Sequence, residues 1–109
     1  MPTVNVYANT RDIATLGELS PGLRQCVAEQ LTCREFELTG SAVSIRAIGV
    51  DRGAMIAAVE IEMIAHAFPE RVERQDEICR NVMSFVKTAA PSLTDVRAWL
   101  VLCDLGHSW

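Results

Sequence analysis

The sequence predicts an α+β fold in which a β-α-β unit is written twice, giving a four-stranded mixed sheet with two helices on one face. Three observations carry this expectation. Strand-like and helix-like stretches alternate in the same order in both halves. Each helix-like stretch has a single apolar face at helical spacing. The segments Ser44-Ile45-Arg46-Ala47 and Asp95-Val96-Arg97-Ala98 match in type and in position within their halves. The 109 residues are therefore read as one domain, residues 1–109, with pseudo-repeats 1–52 and 53–109.

The first strand, Thr3 to Ala8, alternates Val4 and Val6 against Thr3, Asn5 and Tyr7, the period of a half-buried strand. After a polar loop, Ser20 and Pro21 supply an N-cap and a first-turn proline for a helix running to about Thr32. Leu23, Val27 and Leu31 recur every four residues, with Cys26 beside them, so one face of that helix is apolar. The second strand spans about Val43 to Val50. Asp51-Arg52-Gly53 is the junction between the halves, a polar, glycine-containing break between two strand-like runs. The third strand, Ala57 to His66, sets Val59, Ile61 and Met63 on one face and Glu60 and Glu62 on the other. Pro69 opens a second helix, with Glu70 and Glu73 near its positive end and Ile78, Val82, Phe85, Val86 and Ala89 at helical spacing until Pro91. The last strand is Asp95 to Cys103. Right-handed crossover makes the two strands of each unit parallel. The sheet face without helices carries Ile48, Val50, Ile64, Trp99 and Val101, more apolar surface than water tolerates, so self-association is expected.

Composition narrows the function classes. Half of the residues are hydrophobic, 22% are charged and the net charge is −4, the composition of a globular chain and one that disfavours nonspecific nucleic-acid binding or a basic membrane-surface role. Neither a targeting segment nor a membrane span is evident, and a cytoplasmic location is expected. Cys26, Cys33, Cys79 and Cys103 are widely spaced and read as free thiols; His66 and His107 add no zinc pattern, so no metal and no cofactor is expected. Nine of the ten basic residues are arginine. Its planar fork suits a carboxylate ligand, although a genome-wide preference for arginine explains the bias equally well.

Pro2 directly precedes the first strand. With Met1 removed, the chain would begin with a secondary amine on a rigid edge. An α-amino group titrates at roughly 7.7 to 8.0, and burial or nearby cations push it lower, into the range of a general base at neutral pH. The alternative is that proline is simply tolerated at the first position of a strand.

Taken together, Pro2 ahead of a β-α-β unit, the duplication and the uncovered apolar face resemble the tautomerase superfamily. This superfamily comprises 4-oxalocrotonate tautomerase, 5-carboxymethyl-2-hydroxymuconate isomerase, malonate semialdehyde decarboxylase, the cofactor-free dehalogenases and macrophage migration inhibitory factor. The chain is similar in length to the fused members, which form trimers. The resemblance implies that Pro2 is the catalytic base or acid and that arginines bind the substrate carboxylate. Thr94-Asp95-Val96-Arg97-Ala98-Trp99 is similar to the segment of 4-oxalocrotonate tautomerase whose arginine acts on substrate, and Ser44-Ile45-Arg46 is similar to it in the first half. Gly106-His107 falls where that enzyme has a Gly-His pair before an active-site phenylalanine, with Ser108 and Trp109 following. Thr32-Cys33-Arg34 lies where macrophage migration inhibitory factor has a small residue and its pocket lysine. Arg71 is near the position of another substrate arginine, and Arg11 is one residue off the spacing for such a role. The water-activating acid and histidine of the dehalogenases have no evident equivalent, with Glu60, Glu62, His66 and His107 as candidates.

The expected function is thus a cofactor-independent tautomerase or isomerase, with Pro2 as catalytic base and Arg97, Arg46, Arg34 and Arg71 as substrate-binding residues. Its partners would be a small carboxylate or keto acid and two further copies of the chain, with no nucleic acid and no membrane. Two alternatives stay open: a noncatalytic trimeric binding or scaffold domain of the same fold, and a proline-dependent hydratase, dehalogenase or decarboxylase. For the strand arginines Arg46 and Arg97, pairing with a carboxylate such as Glu60 or Glu62 is the competing role.

Overall fold

A computed structural model describes residues 2–106. Its elements follow the order β1 Thr3–Asn9, a 3-10 turn Thr10–Asp12, α1 Ile13–Leu31, a second 3-10 turn Gly40–Ala42, β2 Ser44–Val50, β3 Val59–His66, α2 Pro69–Glu73, α3 Gln75–Ala89 and β4 Val96–Cys103. The sheet order is β2-β1-β3-β4, with β1 parallel to β2, β3 parallel to β4 and β1 antiparallel to β3. Each half therefore supplies one parallel pair, and the two pairs meet back to front at the centre of a mixed sheet, as the duplicated pattern predicts.

Strand alternation sends Val4, Val6 and Ala8 of β1 and Val59, Ile61, Met63 and Ala65 of β3 beneath the helices, where all are buried. Leu23, Val27 and Leu31 of α1 and Ile78, Val82 and Val86 of α3 cover them. The helices come close where Gly22 meets Phe85: a Cβ on Gly22 would lie 2.8 Å from the ring's Cζ, so a side chain there would require the Phe85 ring to shift. The junction between the halves turns at Gly53, whose φ of 127° is open to glycine and strained for other residues.

Two helix expectations are corrected. The first helix starts at Ile13, not at Ser20-Pro21, and Pro21 lies inside it. The apolar spacing extends upstream through buried Leu16, which places the stretch before Ser20 on the same face as Leu23. Instead of capping, the Ser20 hydroxyl donates to the Leu16 carbonyl at 3.2 Å. Pro21 is tolerated because the residue four positions earlier is Gly17 and both are exposed, leaving the Gly17 carbonyl to water. The helix opened by Pro69 is divided at Arg74 (φ −102°, ψ 12°), where the Arg74 side chain is bonded to Gln30 of α1. Ala89 faces solvent and Ala90 takes the buried position in its place. Strand ends differ from expectation by one or two residues.

The helix-free face carries Ile48, Val50, Ile64, Trp99 and Val101, as expected from alternation, but its centre is polar. Asn5 Nδ2 donates to Glu62 Oε1 at 3.0 Å, the Tyr7 hydroxyl donates to the same oxygen at 3.4 Å, and Arg46 Nη1 donates to Asn5 Oδ1 at 3.4 Å. Partial desolvation, then the Glu62 charge and the hydrogen bond to it, push the Tyr7 phenol above its ordinary value. No helix among the described residues is long and apolar enough to cross a membrane.

Candidate active site at the start of the first strand

Strand directions gather several elements around Pro2. The helix α1 returns to the starting end of β1, β3 runs antiparallel and finishes there, and α2 follows directly. Pro2 itself is buried, and its carbonyl accepts a hydrogen bond from Ser44 N at 3.0 Å, which ties it into the ladder with β2. It has the parity of Val4 and Val6, the side of the sheet that the helices cover. By continuation of the Thr3-to-Ile64 pairing, Ala65 stands opposite Pro2 and His66 one step beyond.

Four features build the wall around this end. The first is Arg71, only 3% exposed although it is charged. Its Nε donates to the Leu31 carbonyl at 2.8 Å and its Nη1 to the His66 carbonyl at 3.1 Å. Arg74 Nη1 donates to the Gln30 carbonyl at 3.2 Å, so two arginines satisfy carbonyls at the negative end of α1. Burial pulls the Arg71 guanidinium below its ordinary value while Cys33 and Glu35 push it back, and the group stays charged at neutral pH.

The second feature is the turn after α1. Thr32 Oγ1 donates to the Ala28 carbonyl at 2.8 Å and accepts from Leu38 N at 3.0 Å, closing the helix and folding the loop back. Cys33 and Phe36 exchange backbone hydrogen bonds of 2.9 and 3.1 Å, and the Cys33 thiol is buried. The third is a clamp: the Glu70 carboxylate accepts from Arg34 N at 3.0 Å and from Arg34 Nε at 3.4 Å. The backbone donor is the main reason that Glu70 lies below the usual carboxylate range, with the Arg34 and Arg74 charges adding to it against desolvation. The fourth is a stack in which the Phe36 and Phe68 rings lie 6.4 Å apart and the Arg71 guanidinium sits 4.9 Å from the Phe68 centroid. His66 meets the same Phe68 ring edge-on at 4.7 Å, and its Nδ1 accepts from Leu105 N at 3.2 Å.

Of the expected site residues, Pro2, Arg34 and Arg71 share this end. Arg34 is 82% exposed, available to a ligand in a way that Arg71, fixed on two main-chain carbonyls, is not. Arg46 lies opposite Asn5 on the helix-free face, roughly 10 Å from Pro2 at about 3.3 Å per residue. Arg97 lies opposite Glu60, which lies opposite Tyr7, at the far end of the sheet, and its Nε is 3.8 Å from Asp95 Oδ1. Arg11 is also at that far end, beside a cavity of about 220 Å³ that Arg52, Asp12 and Asp51 help to line. Glu60 accepts from Ile56 N at 2.8 Å and is a local cap there. Met1, His107, Ser108 and Trp109 lie outside the described residues.

The matching of β-α-β pairs across a four-stranded sheet recurs in solved structures along nearly the whole chain. An asymmetric trimer of a fused 4-OT superposes with a TM-score of 0.71 at 14% identity, covering 97% of this chain and 92% of that one. The chain shares the fold of that protein. A macrophage migration inhibitory factor-like protein from Entamoeba histolytica gives a TM-score of 0.68 at 8% identity, over 98% of this chain and 95% of that one. A malonate semialdehyde decarboxylase, a protein with decarboxylase and hydratase activities, gives 0.63 at 10% identity over 98% and 92%. No protein-family model and no curated protein matches the sequence. This fold thus hosts different reactions at these identities, and chemistry has to be argued from the residues.

Sequence reasoning missed Arg74, the Glu70 clamp on Arg34 and the Phe36–Phe68 stack. The Glu70 acid was visible as a first-turn residue. Nothing in the spacing pointed to a partner 36 residues away.

Proposed function

We propose that the chain, with Met1 removed, is a cytoplasmic homotrimeric tautomerase or isomerase that needs no cofactor and acts on a small keto acid. The observation that carries this is the setting of Pro2: a buried residue pinned through its carbonyl to β2, at the end of the sheet where Arg34 and Arg71 converge. Its nitrogen would take a proton from the carbon next to the substrate carbonyl, leaving an enolate, and return that proton to another atom of the conjugated system. Arg34 would hold the substrate carboxylate, since a guanidinium supplies both orientation and charge. Trading its Glu70 partner for the substrate is an exchange of like for like. Arg46 and Arg97 would reach a Pro2 site from a neighbouring copy, and the apolar rim of the helix-free face supports such an assembly.

Two measurements test this together. Intact mass of the purified protein is expected to equal that of the chain without Met1. The change Pro2→Ala, which leaves a primary amine, is expected to reduce tautomerisation of enolisable 2-keto acids by at least tenfold without loss of fold. Retained Met1 makes the Pro2 nitrogen an amide and favours the noncatalytic domain; full activity in Pro2→Ala removes the mechanism. A one-chain mass in light scattering at micromolar concentration would contradict the trimer.

A further inference from the structure

At the Pro2 end, the guanidinium open to a ligand already holds a carboxylate. Arg34 donates to Glu70 Oε2 twice, from its backbone N at 3.0 Å and from its Nε at 3.4 Å. Arg71 cannot take its place, because Nε and Nη1 of Arg71 are committed to main-chain carbonyls. We propose that Glu70 is an internal competitor for the substrate: its carboxylate fills the place on Arg34 that a ligand carboxylate takes, so ligands bind by displacing it and Glu70 sets their affinity. The inference rests on the reading of Arg34 as the carboxylate-binding residue.

Three observations favour exchange over a permanent clamp. The contact lies at the surface, with Arg34 82% and Glu70 26% exposed, so water and ligand reach both partners. The loop keeps its path without Glu70: Thr32 Oγ1 accepts from Leu38 N at 3.0 Å, and Cys33 and Phe36, on either side of Arg34, exchange backbone hydrogen bonds of 2.9 and 3.1 Å. Arg34 can therefore let go without the loop unfolding. A displaced Glu70 also keeps a counter-charge, because the Arg74 cation directly after α2 acts on it and is itself held by Gln30 and Glu77.

The competitor matches the ligand in charge. The Arg34 backbone donor, above all, holds the Glu70 carboxyl below the usual carboxylate range, so at neutral pH it is an anion that offers Arg34 the same oxygen acceptors as a substrate carboxylate. Apparent affinity falls in proportion to the fraction of sites that are free, so a clamp closed in about 70 to 90% of molecules weakens binding roughly three- to tenfold. An exposed ion pair strengthened by one charge-assisted backbone bond lies in that range. Since Glu70 leaves before the ligand takes its place, the factor is the same for every carboxylate that uses Arg34.

The experiment measures binding rather than turnover, by NMR titration at neutral pH of the full chain prepared with Pro2 as its first residue. The probes are 2-oxobutanoate, a keto acid, and butanoate, which lacks the keto group. Glu70→Gln keeps the shape and removes the charge, and it is expected to tighten both probes by the same factor of roughly three to ten. Glu73→Gln removes an equal charge from the exposed side of the same helix and should change binding by less than about twofold, as a screened surface charge does. With Arg34 already replaced by glutamine, Glu70→Gln should give no gain. In the parent, the Arg34 Nε proton and the Glu70 carboxyl carbon should both shift along the saturation curve of the ligand. Weaker or unchanged binding in Glu70→Gln would make Glu70 a support for Arg34 and overturn the inference. Equal tightening by Glu73→Gln, which is a general charge effect, overturns it too, as does an absence of binding in parent and variant alike. So does a Glu70 carboxyl signal that stays in place at saturation; that arm uses the parent alone and decides the matter even if Glu70→Gln does not fold. Full activity in Pro2→Ala would remove the proposed mechanism and leave the binding result standing.

Discussion

Replacing Pro21 by alanine should stabilise the protein, and the size of the effect follows from where the proline sits. It is the ninth residue of α1, well inside a helix of 19 residues. Proline in a helix interior is about 3 kcal/mol less favourable than alanine, because it lacks one hydrogen bond and its ring presses on the carbonyl four residues back. Here that residue is Gly17, which is exposed, so water can reach the carbonyl left without a partner and part of the penalty is relieved. Proline also restricts the unfolded chain, which offsets about 0.4 to 1 kcal/mol of the gain from removing it. The expected net stabilisation is about 1 to 2 kcal/mol, or roughly 4 to 8 °C in Tm for a domain of this size. Denaturation should be followed at one protein concentration, since assembly shifts apparent stability. Ser20→Ala serves as the companion, because Ser20 bonds back to Leu16 rather than capping a helix; it should be neutral, where loss of an N-cap costs about 1 kcal/mol. A neutral Pro21→Ala together with a destabilising Ser20→Ala would mean that the helix starts at Pro21, and would refute the continuous α1.

Three further outcomes are expected. Met63→Ala removes a fully buried side chain from the central strand β3 and should cost about 2 to 5 kcal/mol in denaturant unfolding. Glu70→Gln should lower stability at neutral pH. Because the folded Glu70 carboxyl lies below its ordinary value, the stabilisation is complete above the unfolded value of about 4.3 and is lost as pH falls through the lower folded value. The parent and variant curves should therefore converge in acid, and a constant gap at all pH values would contradict the clamp. Tyr7 should titrate above its ordinary value by near-ultraviolet absorbance, and Glu62→Gln should bring it down, since Glu62 both charges and hydrogen-bonds the phenol.

The parts of the fold that were legible in the sequence are those set by period. Alternation in β1 and β3 identified Val4, Val6, Val59, Ile61 and Met63, and all five are buried. Four-residue spacing identified Leu23, Val27 and Leu31, and Ile78, Val82 and Val86. The start of α1 was misplaced because local chemistry and tertiary packing disagreed there. Serine followed by proline is a strong helix opening, but Leu16 buries itself on the same face as Leu23, and packing carries the helix through the proline. The site was less legible than the fold. Pro2 and Arg34 lie at the same end of the sheet, but arginine type alone does not distinguish a buried clamp such as Arg71 from an exposed group such as Arg34. That difference depends on which carbonyls a side chain reaches across 40 residues, and no spacing rule encodes it.

The central claim is that the Pro2 amine moves a proton on carbon. The most direct measurement is deuterium incorporation from heavy water at the carbon beside the carbonyl of a set of 2-keto acids, with the chain lacking Met1 and its Pro2→Ala variant side by side. The account predicts incorporation well above the buffer rate for at least one acid, falling at least tenfold in the variant. Incorporation at the same rate in both proteins, or at the buffer rate for every acid with the chain lacking Met1, would contradict it.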